Sequence, residues 1–250
     1  MDGTLLNSNH QVSQRFLEQF QRLKERNIRF VAASGRQYHS MVDKLYKIKE
    51  DIIFISENGA LVKEGEQELS VTPISQTLIA ELLESVYGID GAHAMLCGKY
   101  KSYFDGSSVK FLEQLKEYYS AYEIVDDFKS VTDEIVKIAV YHPISAEHYI
   151  YPAMETFESQ IKVKVSGQNW VDLNHKEAHK GNALQKVMNI YNITPSEVLV
   201  FGDYNNDLEM LQLSEYSFAM ANAHPNVKKV AKYETKSNDN FGVESILDKI

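Results

Sequence analysis

Val198-Leu199-Val200-Phe201-Gly202-Asp203-Tyr204-Asn205-Asn206-Asp207 is the stretch whose reading decides the fold. A short, unbroken apolar run ends on a glycine and an acidic, amide-rich turn. Such a run, bounded by turn formers, reads as a strand buried on both faces. Asn206 to Leu213 then reads as a helix, Ser217 to Met220 as another strand and Asn226 to Ala231 as another short helix. Upstream, a helix starts at Lys180 and runs to about Tyr191, and Thr194-Pro195-Ser196-Glu197 forms a turn. The same rhythm occupies the other end of the chain. Phe16, Leu17, Phe20 and Leu23 share one face of a helix that Ser13 caps and Asn27 ends. Ile28 to Ala33 is a strand running into Ser34-Gly35-Arg36. A helix from about Tyr38 to Lys47 leads to a strand, Ile52 to Ser56, that ends at Glu57-Asn58-Gly59. Strand and helix alternating in this way predict an α/β fold with a Rossmann-like parallel sheet core.

The middle of the chain departs from that rhythm. Leu61 to Thr72 reads as a hairpin around Lys63-Glu64-Gly65-Glu66. Helices are expected near Thr77–Tyr87, Val109–Tyr119 and Ala146–Phe157, and strands near Ala92–Leu96, Ile135–Tyr141, Val163–Val165 and Trp170–Leu173. The expected organisation is therefore a core of residues 1–74 and 175–250 with an inserted α/β domain, 75–174.

Composition narrows the function. The 250 residues are 44% hydrophobic and 24% charged, ordinary for a chain with a sizeable core. The net charge is −9, and no Lys/Arg run is long enough for a nucleic-acid patch, so a phosphate-backbone partner is not expected. An anionic substrate would need a local positive site and a cation. No apolar run approaches the ~20 residues of a membrane span, and the opening residues do not form a signal peptide. Cys97 is the single cysteine, which excludes an intrachain disulfide, suits a reducing cytoplasm and reads as a small buried hydrophobe. His175 and His179, four apart, read as a helix start and not as a zinc pair, because no Glu follows His175.

Four polar clusters sit after buried strands or before helices: Asp2-Gly3-Thr4-Leu5, Ser34-Gly35-Arg36, Lys180-Gly181-Asn182 and Gly202-Asp203-Tyr204-Asn205-Asn206-Asp207. In an open α/β sheet that edge is where ligands bind. Each cluster alone is an ordinary turn or cap; their order along the chain gives them meaning. Together they suit phosphoryl transfer, which needs a cation, fixed donors for the phosphoryl oxygens and acid–base help. Asp203 is a hard oxygen ligand for magnesium. Ser34 and Gly35 offer a hydroxyl and an approachable backbone N–H. Lys180 brings a positive charge that Asp207 can pair, and Asp2 is an acid–base carboxyl.

At these residues the chain resembles the haloacid dehalogenase superfamily, and within it the Cof-like sugar-phosphate phosphatases. Met1-Asp2-Gly3-Thr4-Leu5-Leu6 matches the family's Asp-x-Asp-Gly-Thr from the x position onward, and Val31-Ala32-Ala33-Ser34-Gly35-Arg36 its second motif. Glu57-Asn58-Gly59, His179-Lys180-Gly181-Asn182-Ala183-Leu184, Gly202-Asp203-Tyr204-Asn205-Asn206-Asp207, Ala219-Met220-Ala221-Asn222-Ala223 and Asn240-Phe241-Gly242-Val243 match later ones, so the resemblance spans nearly the whole chain. It implies a magnesium-dependent phosphatase of small phosphorylated metabolites, sugar phosphates above all, in which 75–174 is a cap over the site. Asp2 would be the general acid–base and would lend its main-chain carbonyl to Mg2+. Asp203 would ligate the metal, Ser34, Gly35, Lys180 and Asn206 would hold the phosphoryl group, Asp207 would support Lys180, and Arg36 would reach the leaving group. In a full-length form, Lys180→Ala is expected to cut turnover strongly and to leave the fold intact.

One departure matters. The family's nucleophile is the first Asp of Asp-x-Asp, which in this numbering would directly precede Met1, together with the central strand that carries it. Each large apolar side chain lost from a core costs ~2–5 kcal/mol, against a total stability of ~5–15 kcal/mol. We therefore expect that Met1 is not the native start. The alternatives are a catalytically inactive relative that binds phosphorylated ligands, and a phosphomutase-like enzyme that transfers to an acceptor sugar.

Overall fold

Ser13 accepts the Phe16 N–H with its hydroxyl and starts helix α1, Gln14–Glu25, whose buried face is Phe16, Gln19, Phe20 and Leu23. Asn27, at φ 57°, takes the left-handed turn that ends it, and the Ile28 N–H closes back on the Leu23 carbonyl. That closure uses Ile28, so strand β1 begins two residues later than its apolar run suggests, as Phe30–Ala33. The Phe16, Phe20 and Phe30 rings then pack together, 5.0–6.3 Å between centroids.

The computed structural model describes residues 1–106, 108, 111–112 and 119–250. They fall into two compact units, Met1–Ser70 with His179–Ile250, and Val71–Ala178. In the first unit β1 pairs in parallel with β2, Ile52–Ser56, in the register Phe30↔Ile52 to Ala33↔Ile55. Every residue of β2 is buried, as its continuous apolar run requires. Strand β3, Leu61–Glu64, returns antiparallel to β2, and β4, Gln67–Val71, completes the sheet. Helix α2, Tyr38–Lys44, links β1 to β2.

The same unit holds a second, all-parallel sheet of β11, Leu199–Gly202, β12, Tyr216–Ala219, and β13, Tyr233–Glu234. Among the described residues, β1 and β11 each pair with a strand on one side only. Helix α6, Lys180–Tyr191, precedes β11. It approaches helix α7, Leu208–Gln212, so closely that a Cβ on Gly181 would lie 2.6 Å from the Glu209 Cβ. Helix α8, Pro225–Val230, and helix α9, Gly242–Leu247, close the unit. Strand β13 and α9 were not anticipated: two residues carry no period, and α9, Gly242–Leu247, is too short and too evenly buried to show one.

The second unit is a six-stranded sheet in the order β7-β6-β5-β8-β10-β9. Its strands are β5, His93–Gly98; β6, Ser102–Phe104; β7, Tyr122–Ile124; β8, Ile135–Tyr141; β9, Lys162–Gly167; and β10, Trp170–Asn174. Helix α3, Gln76–Tyr87, α4, Ala146–Tyr149, and α5, Tyr151–Met154, cover one face through Leu82, Val86, Ile150 and Met154. The other face gathers Phe104, Phe111, Tyr119 and Tyr141 around the buried Cys97. β6 and β7 are additions to the expected strands; at three residues each they are too short to alternate visibly. The single helix expected over Ala146–Phe157 is broken at Ile150, because Pro152 has no N–H for the next helical bond. The helix expected over Val109–Tyr119 lies largely outside the described residues. No helix among the described residues is long and apolar enough to cross a membrane.

Candidate active site

The first unit ends three of its parallel strands in the predicted clusters. β1 runs into Ser34-Gly35-Arg36, β2 into Glu57-Asn58-Gly59, and β11 into Asp203. The opening loop lies against the same ends. The Met1 carbonyl accepts the N–H groups of Thr4, Leu5 and Leu6, which winds the loop into one tight turn. Gly3 takes φ 64° there, and its bare Cα faces the Asp203 carboxylate, where a Cβ would collide. Thr4 donates its hydroxyl to Asp203 Oδ1 at 2.6 Å. From behind, Asn222 Nδ2 donates to the Gly3 carbonyl at 2.8 Å, and Asn238 Nδ2 to the Leu6 carbonyl at 2.9 Å. The Asp2–Leu6 loop is thus held by side chains more than two hundred residues away.

Lys180 and Asp207 form a buried ion pair, Nζ to Oδ1 at 2.6 Å, with side chains 5% and 6% exposed. Lys180 is the first residue of α6, positioned by His179, whose Nδ1 accepts the Asn182 N–H as an N-cap. Asp207 spends its other oxygen on the N–H groups of Asp203 and Tyr204, at 3.0 and 3.2 Å. Burial is the largest influence on the Asp207 carboxyl and would raise its pKa. The Lys180 charge and these hydrogen bonds outweigh it and hold the pKa below the ordinary carboxylate value. Asp203 goes the other way. Burial raises its pKa, aided by the nearby Asp207 charge and opposed by the Thr4 hydroxyl.

Asp2 is bound on both oxygens by Arg36, Nε to Oδ2 at 2.8 Å and Nη2 to Oδ1 at 2.7 Å, and His10 Nδ1 lies 3.1 Å from Oδ1. Burial, the largest influence, would raise the Asp2 pKa; the Arg36 hydrogen bonds and charge, with His10, carry it down to about 2. A carboxyl held this low is ionised at neutral pH. It is ready to accept a proton, whereas donating one requires that Arg36 first move.

Ser34 is buried, and its hydroxyl accepts the Arg36 N–H at 3.2 Å. Gly35 faces the Asn58 carboxamide, and Asn58 Oδ1 in turn accepts a hydrogen bond from Asn206 Nδ2 at 3.1 Å. The cluster at the end of β1 is therefore joined to the cluster at the end of β11 through Asn58. Every predicted site residue, Asp2, Ser34, Gly35, Arg36, Lys180, Asp203, Asn206 and Asp207, belongs to this connected set. Sequence reasoning gave no role to Thr4, His10, Asn58, Asn222 or Asn238. Thr4, Asn58 and Asn222 stood inside the quoted motifs, but their partners are distant in sequence.

Among the described residues no three His, Cys, Asp or Glu side chains gather closely enough to cage a metal. Mg2+ keeps several waters and takes one or two carboxylates plus substrate oxygens. The half-buried Asp203 carboxylate, whose charge is disfavoured by its surroundings, is a group that such a cation would stabilise.

Comparison with known proteins follows the same line. A family model described as haloacid dehalogenase-like hydrolase matches residues 1–247. The chain is 32% identical over 256 residues to the 5-amino-6-(5-phospho-D-ribitylamino)uracil phosphatase YbjI of Escherichia coli K12, covering 100% of this chain and 93% of that protein. It is similar to the crystal structure of SMU.1108c from Streptococcus mutans UA159, with a TM-score of 0.87, 33% identity, and 100% and 96% of the two chains covered. For TM0651 of Thermotoga maritima the TM-score is 0.90 at 25% identity, covering 100% and 94%.

Proposed function

Because the chain belongs to the haloacid dehalogenase-like hydrolases, a family in which its relatives are phosphatases, we propose that it hydrolyses small phosphate monoesters, sugar and polyol phosphates foremost, with Mg2+ as cofactor. The observation that carries this reading is the connected set at the strand ends. It brings together one half-buried carboxylate oriented by a hydroxyl, Asp203 with Thr4, one buried cation, Lys180, and a Ser34-Gly35 anion loop. The E. coli relative acts, by its name, on a phosphate carried by a ribityl chain, which supports a polyol-bearing leaving group.

Asp203 and the Asp2 main-chain carbonyl would hold the Mg2+, which when bound offsets negative charge on the phosphoryl oxygens. Lys180 donates one N–H to Asp207 and has others to turn toward the phosphoryl group; Ser34, the Gly35 N–H and Asn206 take the remaining oxygens. The nucleophile in this reading is a carboxylate directly preceding Met1. Its oxygen bonds to phosphorus as the ester P–O bond breaks, and the leaving oxygen takes a proton from Asp2, whose carboxyl is protonated once Arg36 has turned away from it. Water then cleaves the phosphoaspartyl intermediate as Asp2 takes the proton back. The unpaired sides of β1 and β11, with the Met1–Leu6 loop touching both Ala33 and Asp203, support a strand in that place. The Val71–Ala178 unit is assigned the role of a cap that selects the leaving group.

Asp203→Ala tests the assignment. In a form extended upstream through the nucleophile, it should abolish magnesium-dependent phosphate release and remove Mg2+ binding in a calorimetric titration. Turnover near the parent rate would refute the role given to Asp203.

A further inference from the structure

Glu57, Asn58 and Gly59 are three successive residues with positive φ, at 48°, 58° and 101°. Two of them are not glycine, and backbone of this kind persists only where its surroundings over-determine it. Here the surroundings are the phosphate-binding elements themselves. The Glu57 N–H donates to the Arg36 carbonyl and the Asn58 N–H to the Ser34 carbonyl, each at 3.0 Å. On the other side, Gly59 abuts the start of α6: a Cβ there would lie 2.5 Å from the His179 carbonyl oxygen and 3.0 Å from the Lys180 nitrogen. One turn is therefore fastened both to the Ser34-Gly35-Arg36 loop and to the first residue of the lysine helix.

The Asn58 side chain fills the centre of that arrangement. Its Oδ1 accepts from Asn206 Nδ2 at 3.1 Å. The same carboxamide covers Gly35, where a Cβ would lie 2.9 Å from Oδ1 and 3.4 Å from Nδ2. Resting on the phosphatase reading above, we infer that Asn58 is a positioning residue of the phosphoryl pocket. It orients the Asn206 amide and sets the spacing between the Asn206 loop and the Ser34-Gly35 loop, so that the pocket is formed before a phosphoryl dianion arrives. Asparagine suits both demands, since it tolerates the left-handed backbone and carries the acceptor. Glycine meets only the first.

Asn58→Gly consequently separates the two roles. Inorganic phosphate is titrated calorimetrically, in magnesium, into the chain extended upstream by one β-strand ending in aspartate, and into its Asn58→Gly, Asn206→Ala and double variants. We expect each single variant to weaken phosphate binding about tenfold or more, a loss of about 1.4 kcal/mol or more. The double variant should be no weaker than Asn206→Ala alone, because Asn58 acts through the Asn206 amide. The Asn206 side-chain amide resonance should move in Asn58→Gly and stay in place in Asn58→Asp, which keeps the acceptor. Phosphate affinity in Asn58→Gly within about twofold of the parent, about 0.4 kcal/mol, would overturn the inference and leave the phosphatase reading standing, as would an unmoved Asn206 resonance. No phosphate binding by the parent chain would overturn both.

Discussion

Asp2 and Lys180 show how the site decides the worth of single residues. Asp2 has its pKa depressed from 3.8 to about 2, so its contacts contribute stability above the ordinary carboxylate range. That contribution is lost as pH falls through the folded value. The parent should therefore exceed Asp2→Asn in urea midpoint at neutral pH, and the gap should close as pH falls from 3.8 toward 2. Asp2 is 38% exposed, so solvent screens the pair with Arg36 and the gap should stay within ~1 kcal/mol; a gap unchanged at low pH would contradict this account. Lys180 is a different case. Its burial against Asp207 corrects the expectation that Lys180→Ala leaves the fold intact. Removing one partner of a buried pair costs ~3–5 kcal/mol. In the form extended upstream through the nucleophile, Lys180→Ala should lose both turnover and thermal stability, and adding Asp207→Ala should restore part of the stability and none of the turnover. The identities of these residues were legible in sequence because the motifs are contiguous. Their environments were not, because burial and the Arg36–Asp2 contact arise from segments brought together only by folding.

At the scale of elements, what could be read followed the strength of the local signal. The Ser13 cap and the uninterrupted Ile52–Ser56 run predicted α1 and β2 almost to the residue. Pro152 carried the signal that breaks the Ala146–Phe157 helix, but the apolar pattern around it concealed the break. The packing of α6 on α7 had no sequence signal beyond a glycine. Gly181→Ala measures it. Alanine would gain ~0.5–1 kcal/mol of helix propensity. The new Cβ would press on the Glu209 Cβ and backbone, and overpacking of this kind costs ~1–3 kcal/mol. The urea midpoint should fall; an unchanged or higher midpoint would show that the two helices can part freely.

For the whole molecule, the α/β class and its parallel sheets followed from alternating strands and helices, and the structure has that architecture. Two features of the first unit were not legible. Its parallel strands form two sheets, with β1 and β11 each unpaired on one side among the described residues. Its last residues also act at the site, since Asn238 and Asn222 hold the Gly3–Leu6 loop from the far end of the chain. Both are long-range consequences that no local pattern encodes.

The most direct test is magnesium-dependent phosphate release from a panel of sugar and polyol phosphates, run on the 250-residue chain beside a form extended upstream by one β-strand ending in aspartate. The account predicts turnover by the extended form alone, abolished by changing that aspartate to asparagine. Turnover by the 250-residue chain on its own would contradict it and require a different nucleophile; inactivity of both forms would contradict the proposed phosphatase function.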